Sequence, residues 1–139
     1  MEPVLTLSAS TRSTAGVLLL AIVAVEYGGW FMLRVVRGGY PATAFQQAFF
    51  RAGHAHAGVL VILALVGQML ADATVMSGVL AVLARNGIWL AVILMPAGFF
   101  LSATGRDVAA PNRLIWVVYG GALSLAIGAV SLGVGLLTG

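Results

Sequence analysis

The sequence TAGVLLLAIVAVEYGGWFMLRVV, residues 14–36, is long and apolar enough to cross a membrane as one helix. A helix spans the hydrocarbon core of a bilayer with about 20 residues. A cleavable signal peptide has a shorter apolar core of about 7–15 residues, so we interpret this segment as a membrane span. Arg34 and Arg37 end the span, and the turn residues Gly38-Gly39-Tyr40-Pro41 follow it.

The rest of the 139-residue chain has the same character, with 61% hydrophobic and 8% charged residues. About a quarter of an ordinary soluble sequence is charged, so lipid must be the solvent for most of this chain. The net charge of +3 comes from seven arginines spread along the sequence. A nucleic-acid partner is excluded because it would need basic residues clustered on one solvated face. The absence of cysteine excludes disulfides and thiol chemistry.

Three more apolar segments follow the first, which predicts an all-α protein, a four-transmembrane-helix bundle with short loops that forms a single membrane domain over residues 1–139. The apolar stretch Val79–Leu83 is too short to cross and is followed by Arg85-Asn86-Gly87, so we predict a short interfacial helix between spans two and three. The predicted spans are residues 14–36, 43–70, 88–104 and 114–137.

Two patterns inside the spans predict how the helices pack and bend. Pro96 lies inside the third span and removes a backbone donor, so we expect a local kink there. Small residues let two helices approach closely in lipid, and the fourth span carries a stripe of them at three- and four-residue steps. The stripe consists of Gly120, Ser124, Gly128, Ser131 and Gly135.

The arginines also predict the orientation, because loops that remain in the cytoplasm carry an excess of positive residues. Loops one and three carry four arginines and the opposite side carries two. We therefore expect an integral membrane protein of the bacterial inner membrane with loops one and three cytoplasmic. The four are Arg34, Arg37, Arg106 and Arg113, and the two are Arg12 and Arg85.

Apart from Arg34 at the end of the first span, four charged or histidine residues fall inside the predicted spans, and such residues are costly in lipid and commonly functional. Counted from the first turn at Tyr40, Glu26 lies 14 residues before it and His54 lies 14 after it, so we expect both at one depth. Arg51 and His56 lie close to that depth, and Tyr119 reaches it when counted from the third loop. The sequence thus predicts one polar layer in the half of the bilayer next to loops one and three.

A flat cofactor suits this layer. His54 and His56 point about 200° apart on a helix, so they cannot hold one small ion together, and we expect one to face the bundle and the other a neighbouring subunit. Small residues, among them Gly58, leave space beside them. Haem fits this space, with either histidine as the metal ligand and Arg51 on a propionate. The alternative is structural, with histidines that join helices by hydrogen bonds and a Glu26–Arg51 ion pair.

The run Phe50-Arg51-Ala52-Gly53-His54-Ala55-His56-Ala57-Gly58 resembles the histidine-bearing helix of the styrene oxide isomerases and hydroxylaminobenzene mutases. These families are small four-helix membrane proteins. The segments Ala97-Gly98-Phe99-Phe100 and Pro111-Asn112-Arg113 look like further elements of the same family. The resemblance implies a haem b ligated by a histidine of the second helix, a trimer, and isomerisation of a small hydrophobic substrate such as an epoxide.

The sequence also departs from this family pattern. The family's Asn, six residues after the histidine, is replaced here by Leu60 or Ile62, and its Tyr by Phe100. An extra Gly53 separates Arg51-Ala52 from His54 and leaves open which histidine would be the ligand. Isomerisation would then need other groups to position the epoxide oxygen, and the expected catalytic residues are Glu26 and Tyr119, with Tyr27 as a further candidate.

Two other functions suit the same sequence. A small proton-coupled multidrug-type transporter would use protonation of Glu26, which lies in helix one beside Tyr27 and Trp30. A non-catalytic accessory subunit of a larger membrane complex would use the polar layer only to fix the register of its helices. The haem-binding, homo-oligomeric isomerase remains the leading expectation.

Overall fold

The computed structural model describes residues 6–138, which form four helices and, in that range, no strand. The helices are α1 (Ala9–Val36), α2 (Ala44–Asp72), α3 (Gly78–Ser102) and α4 (Ile115–Thr138). Each is long and apolar enough to cross a membrane, and they pack together. The prediction of an all-α, four-transmembrane-helix fold is confirmed.

Local sequence explains where the first two helices begin. The Ser8 side chain caps α1 by accepting a hydrogen bond from the Thr11 backbone nitrogen at 3.1 Å. Thr43 and Gln46 form a reciprocal capping box at the start of α2. The Gln46 amide also donates to two carbonyls beyond the end of α3, those of Ala103 and Gly105, both at 3.0 Å. This buried glutamine therefore fastens the start of α2 to the third loop.

The prediction of a separate interfacial helix is wrong, because Val79–Leu83 forms the first turns of α3. The helix continues through Arg85-Asn86-Gly87, and it begins ten residues before the predicted start at residue 88. Arg85 does not break it because Asp72 neutralises the charge, with Nη2 and Oδ1 2.7 Å apart. The helix also continues through Pro96.

Helices α3 and α4 pack most closely, because glycines bring their backbones together. A Cβ atom added at Gly87 would lie 2.5 Å from the Gly128 Cα, and one added at Gly121 would lie 2.9 Å from the Met95 nitrogen. The Ser124 hydroxyl donates to the Gly87 carbonyl at 2.8 Å. The predicted small-residue stripe is thus largely correct, but Gly120 lies outside it and faces open space.

Helix α1 is held differently. Its backbone approaches only α2 among the other helices, and it reaches the remaining helices through side chains near its two ends. Leu18 joins an apolar cluster with residues of α2, α3 and α4, and Val35 packs with Phe50 and Ala103 at the opposite end. Between these two contacts the α1 residues that face α2 and α3 are small, and a cavity opens.

Candidate functional site

A cavity of about 280 Å³ lies between α1, α2 and α3, at the depth where the polar layer was predicted. His54 is the one ionisable residue that lines it, and the other lining residues are apolar. Such a space suits a small, mainly apolar molecule with one polar atom. The lining residues are Ala21, Ala24, Val25 and Gly28 of α1, His54, Ala57 and Val61 of α2, and Val92, Ile93, Pro96 and Phe100 of α3.

The half-buried His54 ring lies on two glycines of α1. A Cβ atom at Gly28 would be 3.2 Å from the His54 Nδ1, and one at Gly29 would be 3.5 Å from its Nε2. No hydrogen bond joins His54 to any residue in the described range 6–138, and neither ring nitrogen is fully buried. The imidazole is therefore held by packing, while its polar atoms stay available to a ligand.

Glycine also places the opposite wall of the cavity. Gly53 of α2 lies under α3, where an added Cβ would be 2.9 Å from the Phe100 Cε2 and 3.1 Å from the Phe99 Cβ. The glycine that departs from the family pattern thus has a structural reason, because it lets Phe100 pack closely beside the cavity. Phe100 also stacks on Phe50, with ring centroids 5.6 Å apart.

His56 lies on a different face of α2, as the two-residue spacing predicts. Its ring is 5.0 Å from that of Phe99 on α3, and its Nδ1 is 2.7 Å from the Ala52 carbonyl oxygen. A carbonyl oxygen only accepts, so the Nδ1 of His56 donates this hydrogen bond. A histidine that binds a metal through Nε2 usually donates a hydrogen bond from Nδ1 in this way.

The other predicted site residues do not line the cavity. Glu26 and Arg51 are exposed and form no ion pair with each other. Tyr119 is exposed on α4 and packs edge-on against Trp116. Gly58 lies near Val25, because a Cβ atom added at Gly58 would be 4.0 Å from the Val25 Cγ1. Within residues 6–138, no three His, Asp or Glu side chains come together as metal ligands.

A second polar cluster, which the sequence did not reveal, lies at the opposite end of the helices. The buried Asp72 carboxylate accepts hydrogen bonds from the Ser8 backbone nitrogen at 2.8 Å and from Arg85 at 2.7 Å. Arg85 also donates to the Thr11 hydroxyl, and the Gln68 amide donates to the Arg85 carbonyl. This cluster joins α1, α2 and α3. In the sequence, the one indication of this cluster is that an acidic residue, Asp72, and a basic residue, Arg85, lie on either side of the second loop.

No protein-family model, curated protein or solved structure matches this chain.

Proposed function

We propose that this membrane protein binds a small hydrophobic molecule in the cavity between α1, α2 and α3 and isomerises it, with His54 in contact with the polar atom of that molecule. The observation that carries the proposal is the His54 imidazole, which lies on two glycines in an otherwise apolar cavity and has no hydrogen-bond partner among residues 6–138. An ionisable group at this depth is costly, which favours a functional role. The volume, about 280 Å³, is near the lower end of ligand pockets.

An epoxide suits this cavity because it carries one weakly basic oxygen on an apolar body. The protonated imidazole of His54 gives its proton to the epoxide oxygen as one carbon–oxygen bond breaks, and a cation forms on that carbon. A hydride then moves to the cation from the carbon that keeps the oxygen. Loss of the hydroxyl proton, back to His54, leaves an aldehyde. The apolar walls keep out water, which would otherwise trap the cation as a diol.

Styrene oxide is the probe for this proposal. Membranes that contain the protein are expected to convert it to the aldehyde, measured by gas chromatography. Replacing His54 with alanine should lower the rate by about 100-fold or more, the usual contribution of a general acid. His56→Ala removes the same side chain two residues away, outside the cavity, and should stay within about threefold of the unchanged protein.

A further variant tests the cavity itself. Ala57 lines it, so Ala57→Leu should fill part of the space and lower the rate while His54 is retained. No aldehyde from the unchanged protein, or an equal loss in the His54 and His56 variants, would contradict the proposed site. Glu26 and Tyr119 have no part in this reaction because neither lines the cavity.

The second candidate function is haem b binding at His56. The hydrogen bond from Nδ1 to the Ala52 carbonyl leaves Nε2 free, which is the donor that an axial ligand needs. His54 fits this role less well, because no hydrogen bond from a residue in the range 6–138 fixes the orientation of its ring. A bound haem would supply a Lewis-acidic iron. The Ala52 carbonyl would fix the tautomer and orientation of His56.

Haem binding predicts a coloured protein. Protein purified after expression with added haem should show a Soret absorption band, and His56→Ala should remove most of it, because the axial bond is lost. His54→Ala, the matched variant, should keep the band. A colourless unchanged protein, or loss of the band only with His54→Ala, would contradict ligation by His56.

A further inference from the structure

Two charged side chains of opposite sign lie on the outer surface of the chain at membrane depth. Glu26 is ten residues before the end of α1 at Val36, and Arg51 is seven residues after the start of α2 at Ala44. Both are exposed, and they do not pair with each other. Within residues 6–138 the one ion pair is that between Asp72 and Arg85, at the opposite end of the helices. Lipid solvates neither charge well, so each needs a partner, and no residue in the range 6–138 pairs with either one.

Glu26 faces away from the cavity. Ala24 and Gly28 of α1 line the cavity, and Glu26 is two residues from each of them. At about 100° per residue, it points about 200° from both. Glu26 is therefore on the side of α1 that is remote from α3.

Arg51 lies on the corresponding side of α2. Gly53 packs against Phe99 and Phe100 of α3, while His54 packs against α1. Arg51 is three residues before His54, which places it about 60° from His54 on the side opposite to Gly53. The two charges thus share one face, the outer side of the α1–α2 pair.

The depths of the two charges also match well enough for them to meet. His54 is level with Gly28 and Gly29. Arg51 is about one turn nearer to the first loop, and Glu26 is slightly less than one turn in the other direction. At about 1.5 Å per residue, the two positions differ by about 8 Å along the helix axes, within the combined reach of a glutamate and an arginine side chain.

We propose that a second copy of this chain docks on the outer face of α1 and α2, and that Glu26 of one copy pairs with Arg51 of the other. The face carries one negative and one positive charge. A two-fold dimer therefore forms the Glu26–Arg51 pair twice, and a cyclic oligomer forms it once at each interface. A lipid phosphate would satisfy Arg51 but leave Glu26 without a cation. A second copy satisfies both.

Association of two labelled populations in liposomes tests this proposal, with energy transfer as the measure. The chain has no cysteine, so one Thr138→Cys substitution supplies a single label site at the end of α4. Glu26→Gln and Arg51→Gln should each raise the dissociation constant about tenfold or more, because the remaining charge is left unpaired. The exchange of both charges, E26R with R51E, should restore association to within about threefold. Arg113→Gln, in the exposed third loop, should have no effect.

Cross-linking tests the same face with both charges kept. One chain carries Ile22→Cys, one turn from Glu26, and the other carries Ala55→Cys, one turn from Arg51. A short bismaleimide should join these two chains, whereas Val130→Cys on the exposed face of α4 should give no product with either. A monomeric unchanged protein, association insensitive to both single changes, or no recovery in the exchanged variant would overturn the proposal.

Discussion

Replacing Gly128 with leucine is expected to destabilise the fold strongly. A Cβ atom there would lie 2.7 Å from the Ile88 nitrogen and 2.9 Å from the Gly87 Cα. These are backbone atoms, so the side chain fits only if α3 and α4 move apart along their whole contact. Overpacking costs about 1–3 kcal/mol where neighbours can yield, and here we expect at least the upper end of that range.

The measurement is the thermal midpoint in detergent, followed by circular dichroism. Gly120→Leu is the matched control, because it adds the same side chain to the same helix two turns away, where no atom lies within 4 Å. We expect Gly120→Leu to keep the midpoint within a few degrees, since an apolar side chain facing lipid costs little. Equal midpoints for the two variants would show that the close contact of α3 and α4 is incorrect.

The second large effect is expected where Asp72 meets Arg85. The Asp72 side chain is 5% exposed and the Arg85 side chain 29%, and their 2.7 Å contact joins the end of α2 to α3. Removal of one partner from a buried pair costs about 3–5 kcal/mol, because the other charge remains buried alone. Asp72→Asn should approach this loss, which the partial exposure of Arg85 reduces.

A double variant distinguishes the loss of the ion pair itself from the cost of leaving one charge without its partner. Asp72→Leu combined with Arg85→Met removes both charges, so the free energy of unfolding should fall less than in either single variant. Arg106→Leu, in the exposed third loop, is the control for the loss of an arginine and should change stability by less than about 0.5 kcal/mol. Additive losses in the double variant would argue against direct coupling of Asp72 and Arg85.

Much of the fold could be predicted because hydropathy and length determine which segments cross a membrane. The faces on which the helices meet were harder to predict, because in lipid the inner side of a helix is no more apolar than its outer side. In the sequence, only small residues indicate the inner side of a helix. In α4 their spacing did not determine which of two neighbouring glycines lies in the contact. Gly121 is buried against Met95, whereas its neighbour Gly120, which the pattern favoured, is not in the contact.

The candidate site could be predicted only in part. The depth of His54 and the divergence of His54 and His56 follow from counting along regular helices. Hydropathy could not show that Arg85 lies inside α3, because a charge that ends a helix looks the same in the sequence as one that an acid neutralises from the next helix. The cavity depends on small side chains of α1 that face Ile93 and Phe100, and a sequence does not reveal such pairings between distant segments.

The attachment of α1 has a consequence for the entry of the proposed ligand. Helices α3 and α4 are interlocked by glycines, whereas α1 is held near its two ends and presents small side chains to the cavity between them. Every wall of the cavity belongs to a helix that is long and apolar enough to cross a membrane, so we expect the proposed ligand to enter sideways from the bilayer. Apolar solutes partition strongly into that phase. We therefore expect the cavity to respond to the concentration of a solute in the membrane, and a half-saturating concentration measured in water should fall as the lipid affinity of the solute rises.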